Sequence, residues 1–147
     1  MEFINRKAYH EYYVEDRYVA GVVLRGTEVK SLRSGKLSFN DSYAHFENGE
    51  LYLKSLHISE YAFGTLVNHE PMQERKLLMT KRELKKLEVK IKEKGFSLIP
   101  LRVYFDENGR VKVEVGLCRG KKAYDKRQVI KEREAKRETA RVERRFS

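Results

Sequence analysis

Cations interleaved with aromatic rings occur near both ends of this 147-residue chain. The first run is Asn5-Arg6-Lys7-Ala8-Tyr9-His10-Glu11-Tyr12-Tyr13, and the second is Gly120-Lys121-Lys122-Ala123-Tyr124-Asp125-Lys126-Arg127. Arg and Lys neutralise phosphates, while Tyr and His stack on unpaired bases, so these runs offer recognition of a nucleic-acid strand. Lys30, Arg33 and Lys36 make a third, sparser patch. A plainer reading makes Tyr12 and Tyr13 the start of a strand and the second run a charged linker. Recurrence of the pattern at both termini favours binding.

Catalytic chemistry finds little support. His10, His45, His57 and His69 show no metal-ligand spacing, although His45 and His57 fall in strands of one expected hairpin. Cys118 beside Arg119 is open to a lowered thiol pKa, against the commoner outcome of an inert strand-end cysteine. A single cysteine excludes an internal disulfide framework. There is no phosphate-binding glycine loop and no paired-carboxylate motif of a two-metal nuclease. The expectation is a non-enzymatic protein without metal or cofactor.

Charge is distributed unevenly. Residues 119–147 hold 12 Lys+Arg against 5 Asp+Glu, a net of +7, whereas residues 1–118 carry only +3. The apolar residues of the tail, among them Val129, Ile130, Val142 and Phe146, are too few to offset the entropy of ordering it alone. A near-neutral body, residues 1–118, with a cationic arm, residues 119–147, points to a polyanionic partner. No apolar run reaches membrane-spanning length and the first residues do not resemble a secretory signal, so a cytoplasmic protein is expected.

Two Asn-Gly turns organise the body. Asn48-Gly49 joins Asp41–Glu47 to Glu50–His57, and Asn108-Gly109 joins Ser97–Phe105 to Arg110–Cys118, both suiting positive φ in tight hairpins. Alternation places Ile99, Leu101, Val103 and Phe105 on one face, with Val111, Val113, Val115 and Leu117 facing them. Pro100 points off that face and predicts a bulge or an unpaired edge. Arg17–Leu24 is apolar on both sides, as in a closed or strongly coiled sheet.

Helices are expected over Thr27–Ser34 and from Thr80, whose capping box with Glu83 starts a helix burying Leu84, Leu87 and Ile91 before Gly95. The fold class is therefore mainly β: an OB-fold-like small antiparallel barrel with peripheral α-helices, an SH3-like barrel being the nearest rival. Val129–Arg145 is rich in good helix formers, but pairs such as Glu132–Lys136 add only about 0.2–0.5 kcal/mol each. The basic tail is expected to be disordered when free and helical on an anionic surface.

The strings Asn5–Tyr12, Gly26-Thr27-Glu28-Val29-Lys30-Ser31-Leu32-Arg33, Asp41-Ser42-Tyr43, Arg75-Lys76-Leu77-Leu78 and Gly120-Lys121-Lys122 with Asp125-Lys126-Arg127 occur in this order. Together they resemble the bacterial SsrA-binding protein (SmpB) family over nearly the whole chain. The resemblance implies a barrel that binds the tRNA-like domain of transfer-messenger RNA (tmRNA) and brings it to ribosomes stalled on messages lacking a stop codon. It also implies a tail entering the 16S rRNA decoding region and mRNA channel, with elongation factor Tu engaged indirectly through tmRNA. Asn5, Arg6, Lys7, His10, Lys30, Arg33, Lys36, Arg75, Lys76 and Leu78 become candidate RNA-binding residues of the barrel. Lys121, Lys122, Tyr124, Lys126 and Arg127 become candidates of the tail segment, Tyr124 stacking on a base. Glu28 fits a residue that orients neighbours or caps a helix better than one meeting phosphate. Cys118 stands where the family favours alanine, and the family's basic N-terminal extension is short here. A structural ribosomal protein, or another generic basic RNA binder, is the alternative; a monomer is expected in either case.

Overall fold

The computed structural model describes residues 1–64, 67–93 and 95–121. Its elements are β1 (Glu2–Ile4), α1 (Arg6–Glu11), β2 (Tyr12–Val22), α2 (Gly26–Arg33), β3 (Leu37–Ser38), β4 (Tyr43–Glu47), β5 (Glu50–Lys54), β6 (His57–Ile58), β7 (Arg75–Leu78), α3 (Lys81–Ile91), β8 (Phe96–Phe105) and β9 (Val111–Gly120). The main sheet runs β1-β8-β4-β5-β7-β2-β9, and the additional β8–β9 pairing closes it into an antiparallel barrel. Closure leaves no long free edge; of the apolar run Arg17–Leu24 it buries Ala20 inside, while Val19 and Val23 stay exposed on the outer wall. The mainly β, OB-like expectation holds. β3 and β6 form a separate two-stranded ribbon.

Side chains from every wall fill the barrel, including Ala20, Leu51, Leu53, Leu77, Leu98, Val113 and Val115, all buried. Helix α3 supplies Leu87, with Leu84 and Ile91 packed beside it, as the heptad-like spacing predicts. Thr80 Oγ1 accepts from the Glu83 amide at 3.2 Å, but Glu83 answers the Thr80 hydroxyl rather than its backbone N–H.

The expected alternation in β8 fails at one place. The β8–β9 register slips between Pro100 and Arg102, a bulge that the missing N–H of Pro100 helps create. Before the slip Phe96 and Leu98 face the barrel interior, and after it Val103 and Phe105 do. Ile99 and Leu101 therefore leave the face assigned to them and join Ala8 and Cys118 in a second, outer cluster. Leu101 lies across Gly116, where an added Cβ would sit 2.6 Å from Leu101 Cδ1. That cluster seats α1, a helix that the mixed charge of residues 5–13 conceals. Asn5 caps it by accepting from the Ala8 amide, and its own amide and side chain donate to the Leu101 and Pro100 carbonyls at 2.9 and 2.8 Å.

Two turn expectations also need correction. Asn48 and Gly49 both take positive φ, but only Gly109 does in the second turn. There Asp106 accepts from the amides of Asn108 and Arg110 at 2.9 Å each, making a longer loop. The strand expected over Glu50–His57 breaks at Ser55, whose φ is +63°. His45 therefore pairs with Tyr52 in the barrel, while His57 pairs with Ser38 in the ribbon, so they do not share a hairpin.

Burial raises the Cys118 thiol to about 11, with Arg17 opposing weakly, so the lowered-pKa option for this cysteine is overturned. Its alkylation by iodoacetamide at pH 8 should be slow in the folded protein and fast in concentrated urea. Rapid labelling without denaturant would contradict this packing.

The strongest polar constraint is a completely buried ion pair between Glu28 of α2 and Arg75 of β7. Arg75→Met would leave the Glu28 carboxylate buried without its counter-charge. The expected cost is about 3–5 kcal/mol in urea denaturation, much of it recovered when Glu28 is also replaced by Leu. A loss below about 1 kcal/mol would show that the pair does not organise the core.

Candidate nucleic-acid interface

The basic-aromatic runs from opposite chain ends meet because β2 pairs with β9. Tyr12 aligns with Gly120 and Tyr13 with Arg119, bringing the start of the cationic tail beside α1. Lys121 Nζ donates to the Tyr9 carbonyl at 3.0 Å and stands 5.2 Å from the centre of the Tyr13 ring. Arg17 donates to the Tyr9 hydroxyl and pairs with Glu114, both at 2.8 Å. A shallow pocket of about 370 Å³ lined by His10, Glu11, Tyr12, Gly120 and Lys121 lies at this junction. Rings and cations thus share one surface where the tail leaves the barrel, an arrangement able to grip a phosphate backbone and support stacked bases.

The candidates divide by burial. Arg6, Lys7, His10, Lys30, Arg33 and Lys36 are exposed, and Lys76 and Lys121 are partly so. Arg6, Arg33 and Lys36 take part in no ion pair found among the described residues, although Arg33 sits 5.8 Å from the Phe105 ring centre. Lys7 reaches Asp41 at 3.1 Å and Glu11 at 3.9 Å, and the hydrogen bond to Asp41 is the main cause of its raised pKa. Lys76 reaches Glu50 at 3.0 Å. Such exposed pairs are weak and screened by solvent, so phosphate can displace the carboxylates at little cost.

Asn5 and Arg75 belong elsewhere. Asn5 is buried as the cap of α1, and Arg75 is 1% exposed. Arg75 donates through Nε to Glu28 Oε2, through Nη1 to the Leu56 carbonyl at 2.7 Å, and through Nη2 to the Pro71 carbonyl at 3.0 Å. A guanidinium so engaged has no accessible fork to offer phosphate, which corrects its expected role. Glu28 Oε1 accepts from the Arg25 amide and from Gln73 Nε2, both at 2.9 Å, in keeping with the capping role expected for it.

Leu78 is exposed on the outer barrel wall, opposite Gly21. Val19 and Val23, exposed on the same face two residues either side of Gly21, extend it into an apolar shelf. A Cβ on Gly21 would touch Leu78 Cβ at 3.4 Å, so glycine keeps the shelf flat. Sequence reading missed the two valines because a strand apolar on both faces does not reveal which side is wet. The period-2 spacing of Val19, Gly21 and Val23 was the available signal. His69, also missed, is buried between Thr27 Oγ1 at 2.9 Å and the Ile58 carbonyl at 2.8 Å. Its Nε2 donates to that carbonyl, tying α2 to the β6 ribbon. Lys122, Tyr124, Lys126 and Arg127 lie outside the described residues. Among the described residues no group of three or more His, Cys, Asp or Glu side chains is arranged to hold a metal, and no helix is long and apolar enough to cross a membrane.

The chain is similar to known proteins over most of its length. The family model described as SmpB protein matches residues 3–145. An SsrA-binding protein of Geobacter sulfurreducens is 56% identical over 92% of this chain and 88% of its own. Another from Desulforudis audaxviator is 57% identical over 95% of this chain and 91% of its own. A solved structure described as "tmRNA-SmpB: a journey to the center of the bacterial ribosome" superposes with a TM-score of 0.70 at 50% identity, covering 82% of this chain and 84% of that one. With the family pattern spanning both basic-aromatic runs and the barrel between them, the chain belongs to the SmpB family.

Proposed function

We propose that this protein is an RNA-binding adaptor that holds the tRNA-like domain of tmRNA and delivers it to stalled ribosomes for trans-translation. The observation that carries this reading is the β2–β9 pairing, which launches the cationic tail from the basic-aromatic surface beside α1. Relatives named for binding SsrA, and a structural neighbour described in the setting of the bacterial ribosome, supply the identity of the RNA and its destination. The protein acts by binding and performs no chemical step itself.

Labour divides between barrel and tail. The barrel, residues 1–118, holds the tRNA-like domain through Arg6, Lys7, His10, Lys30, Arg33, Lys36, Lys76 and the Leu78 shelf. The tail, residues 119–147, enters the decoding region and mRNA channel, where Lys121, Lys122, Lys126 and Arg127 neutralise phosphate and Tyr124 stacks on a base. Elongation factor Tu is met only through tmRNA. The protein works as a monomer in the cytoplasm, where its ribosomal target resides.

Titration with the tRNA-like domain and with an ordinary tRNA, each at two salt concentrations, tests the specificity. The expected result is preference for the tRNA-like domain that survives the higher salt. Equal, salt-labile binding of both RNAs would leave only a generic basic RNA binder. Truncation after Lys121, which keeps the Tyr9 contact, should preserve most tmRNA affinity and abolish tagging on stalled ribosomes. Loss of both together would refute the division of labour. Tyr124→Ala in the full chain should weaken ribosome engagement by about 1–3 kcal/mol in competition binding; no change would return the residue to a linker role.

A further inference from the structure

A second aromatic site lies apart from the tail, where the turn Tyr61–Gly64 meets α2. Phe63 is 82% exposed, the most exposed large hydrophobic side chain among the described residues. It is not a loose ring on a slack loop. The Asn68 side chain clamps the Tyr61 peptide unit, accepting from its amide at 3.2 Å and donating to its carbonyl at 3.0 Å. The Gly64 amide closes the turn on the Tyr61 carbonyl at 2.9 Å. An added Cβ on Gly64 would fall 2.5 Å from Asn68 Nδ2, so glycine is what lets the clamp approach. The Tyr61 ring packs edge-on to Phe63 with centroids 5.6 Å apart, and Lys30 Nζ stands 5.6 Å from the Tyr61 centroid.

Between this turn and α2 is a cleft of about 260 Å³, bordered by Ser31, Ser34, Lys36, Glu60, Tyr61 and Phe63. Ser31 is 1% exposed, and its hydroxyl has no hydrogen-bond partner among the described residues. A buried hydroxyl left unsatisfied carries a cost that a ligand bond would relieve. The cleft falls below the roughly 300–1,000 Å³ typical of whole small-molecule sites, so it suits a fragment of a larger partner. The fragment needs a flat apolar face for Phe63 and a polar edge for the hydroxyls and Glu60. It also needs an attached negative charge for Lys30 and Lys36. An apolar peptide side chain meets only the first requirement.

We infer that this cleft takes one unpaired nucleobase of an RNA strand, stacked on Phe63 and hydrogen-bonded at the Ser31 side, with its phosphates facing Lys30 and Lys36. The inference rests on the reading of the protein as an RNA adaptor and adds a base-binding position to it. Stacking tolerates any base, while the hydroxyl and carboxylate edge adds a modest preference.

The chain contains no tryptophan, so Phe63→Trp provides a single emission signal at the site. Titrated with a random-sequence single-stranded RNA hexamer up to millimolar concentration, its emission should be quenched; a blunt RNA duplex should leave it unchanged. Phe63→Ala should lower hexamer affinity roughly 5- to 150-fold, the worth of one stacked base, and Phe63→Tyr should restore it. Ser31→Ala should bind the hexamer more weakly without losing stability in urea, because no bond in the free protein is removed. Unchanged emission with the hexamer, together with parental affinity in Phe63→Ala, would overturn the inference. The adaptor reading is judged separately, by the preference of the parent protein for the tRNA-like domain over tRNA. A protein that fails that comparison yet shows the hexamer response keeps the pocket and loses the tmRNA assignment.

Discussion

The buried Glu28–Arg75 pair is the constraint on which the arrangement of the binding surface depends. It joins α2 to β7 inside the molecule, and each charge completes its hydrogen bonding with backbone from a different segment. Arg75 holds the carbonyls of Leu56 and Pro71, while Glu28 holds the amide of Arg25 and the side chain of Gln73. Burying two charges is expensive unless their lone pairs and protons are satisfied. Here the requirement is met only when three separate stretches of chain, residues 25–28, Leu56 and residues 71–75, come together. The same helix carries Lys30 and Arg33 outward, so a fully buried charge pair fixes where two exposed cations stand.

Barrel closure supplies the second constraint. Residues more than a hundred positions apart share an edge because β2 pairs along almost its full length with β9. The bulge beside Pro100 then moves Leu101 outward onto Gly116, and Asn5 binds the carbonyls it exposes. Helix α1 is consequently docked by an irregularity in a strand, not by an amphipathic face of its own. Six residues of isolated helix would not persist in water. Its position beside the tail is a product of sheet geometry.

Charge is used in two ways. Inside, it specifies packing; outside, it stays exchangeable. Lys7 and Lys76 rest against carboxylates in exposed pairs that phosphate can replace. Arg6 and Lys36 take part in no ion pair among the described residues and need no exchange. In a body of nearly balanced charge, the position of such cations is what can confer selectivity, because bulk electrostatics alone favours every polyanion equally. The rings of Tyr9, Tyr13 and Phe63 are exposed, and rings so placed are able to tell unpaired bases from duplex.

Much of this was legible in the chain before folding. Period-2 alternation, the Asn48-Gly49 turn and the Thr80 cap are local signals, and local physics reads them correctly: the hairpin, α3 and the barrel class follow from them. The basic-aromatic runs pointed to RNA for the same reason, since phosphate and base recognition depends on residue type, while tmRNA came only from the family resemblance of the strings. What residue type does not convey is solvent access. Arg75 and Lys76 are adjacent cations, yet one is sealed in the core and the other reaches solvent, because strand neighbours point to opposite faces. Nor does it convey the parity change at the Leu101 bulge, the break at Ser55 or the shelf of Val19 and Val23. The sequence by itself determined the alphabet of elements and the chemistry available to them. Only the tertiary structure decided which cations meet water and which termini meet each other, because burial and long-range pairing are properties of the closed barrel and not of any segment of it.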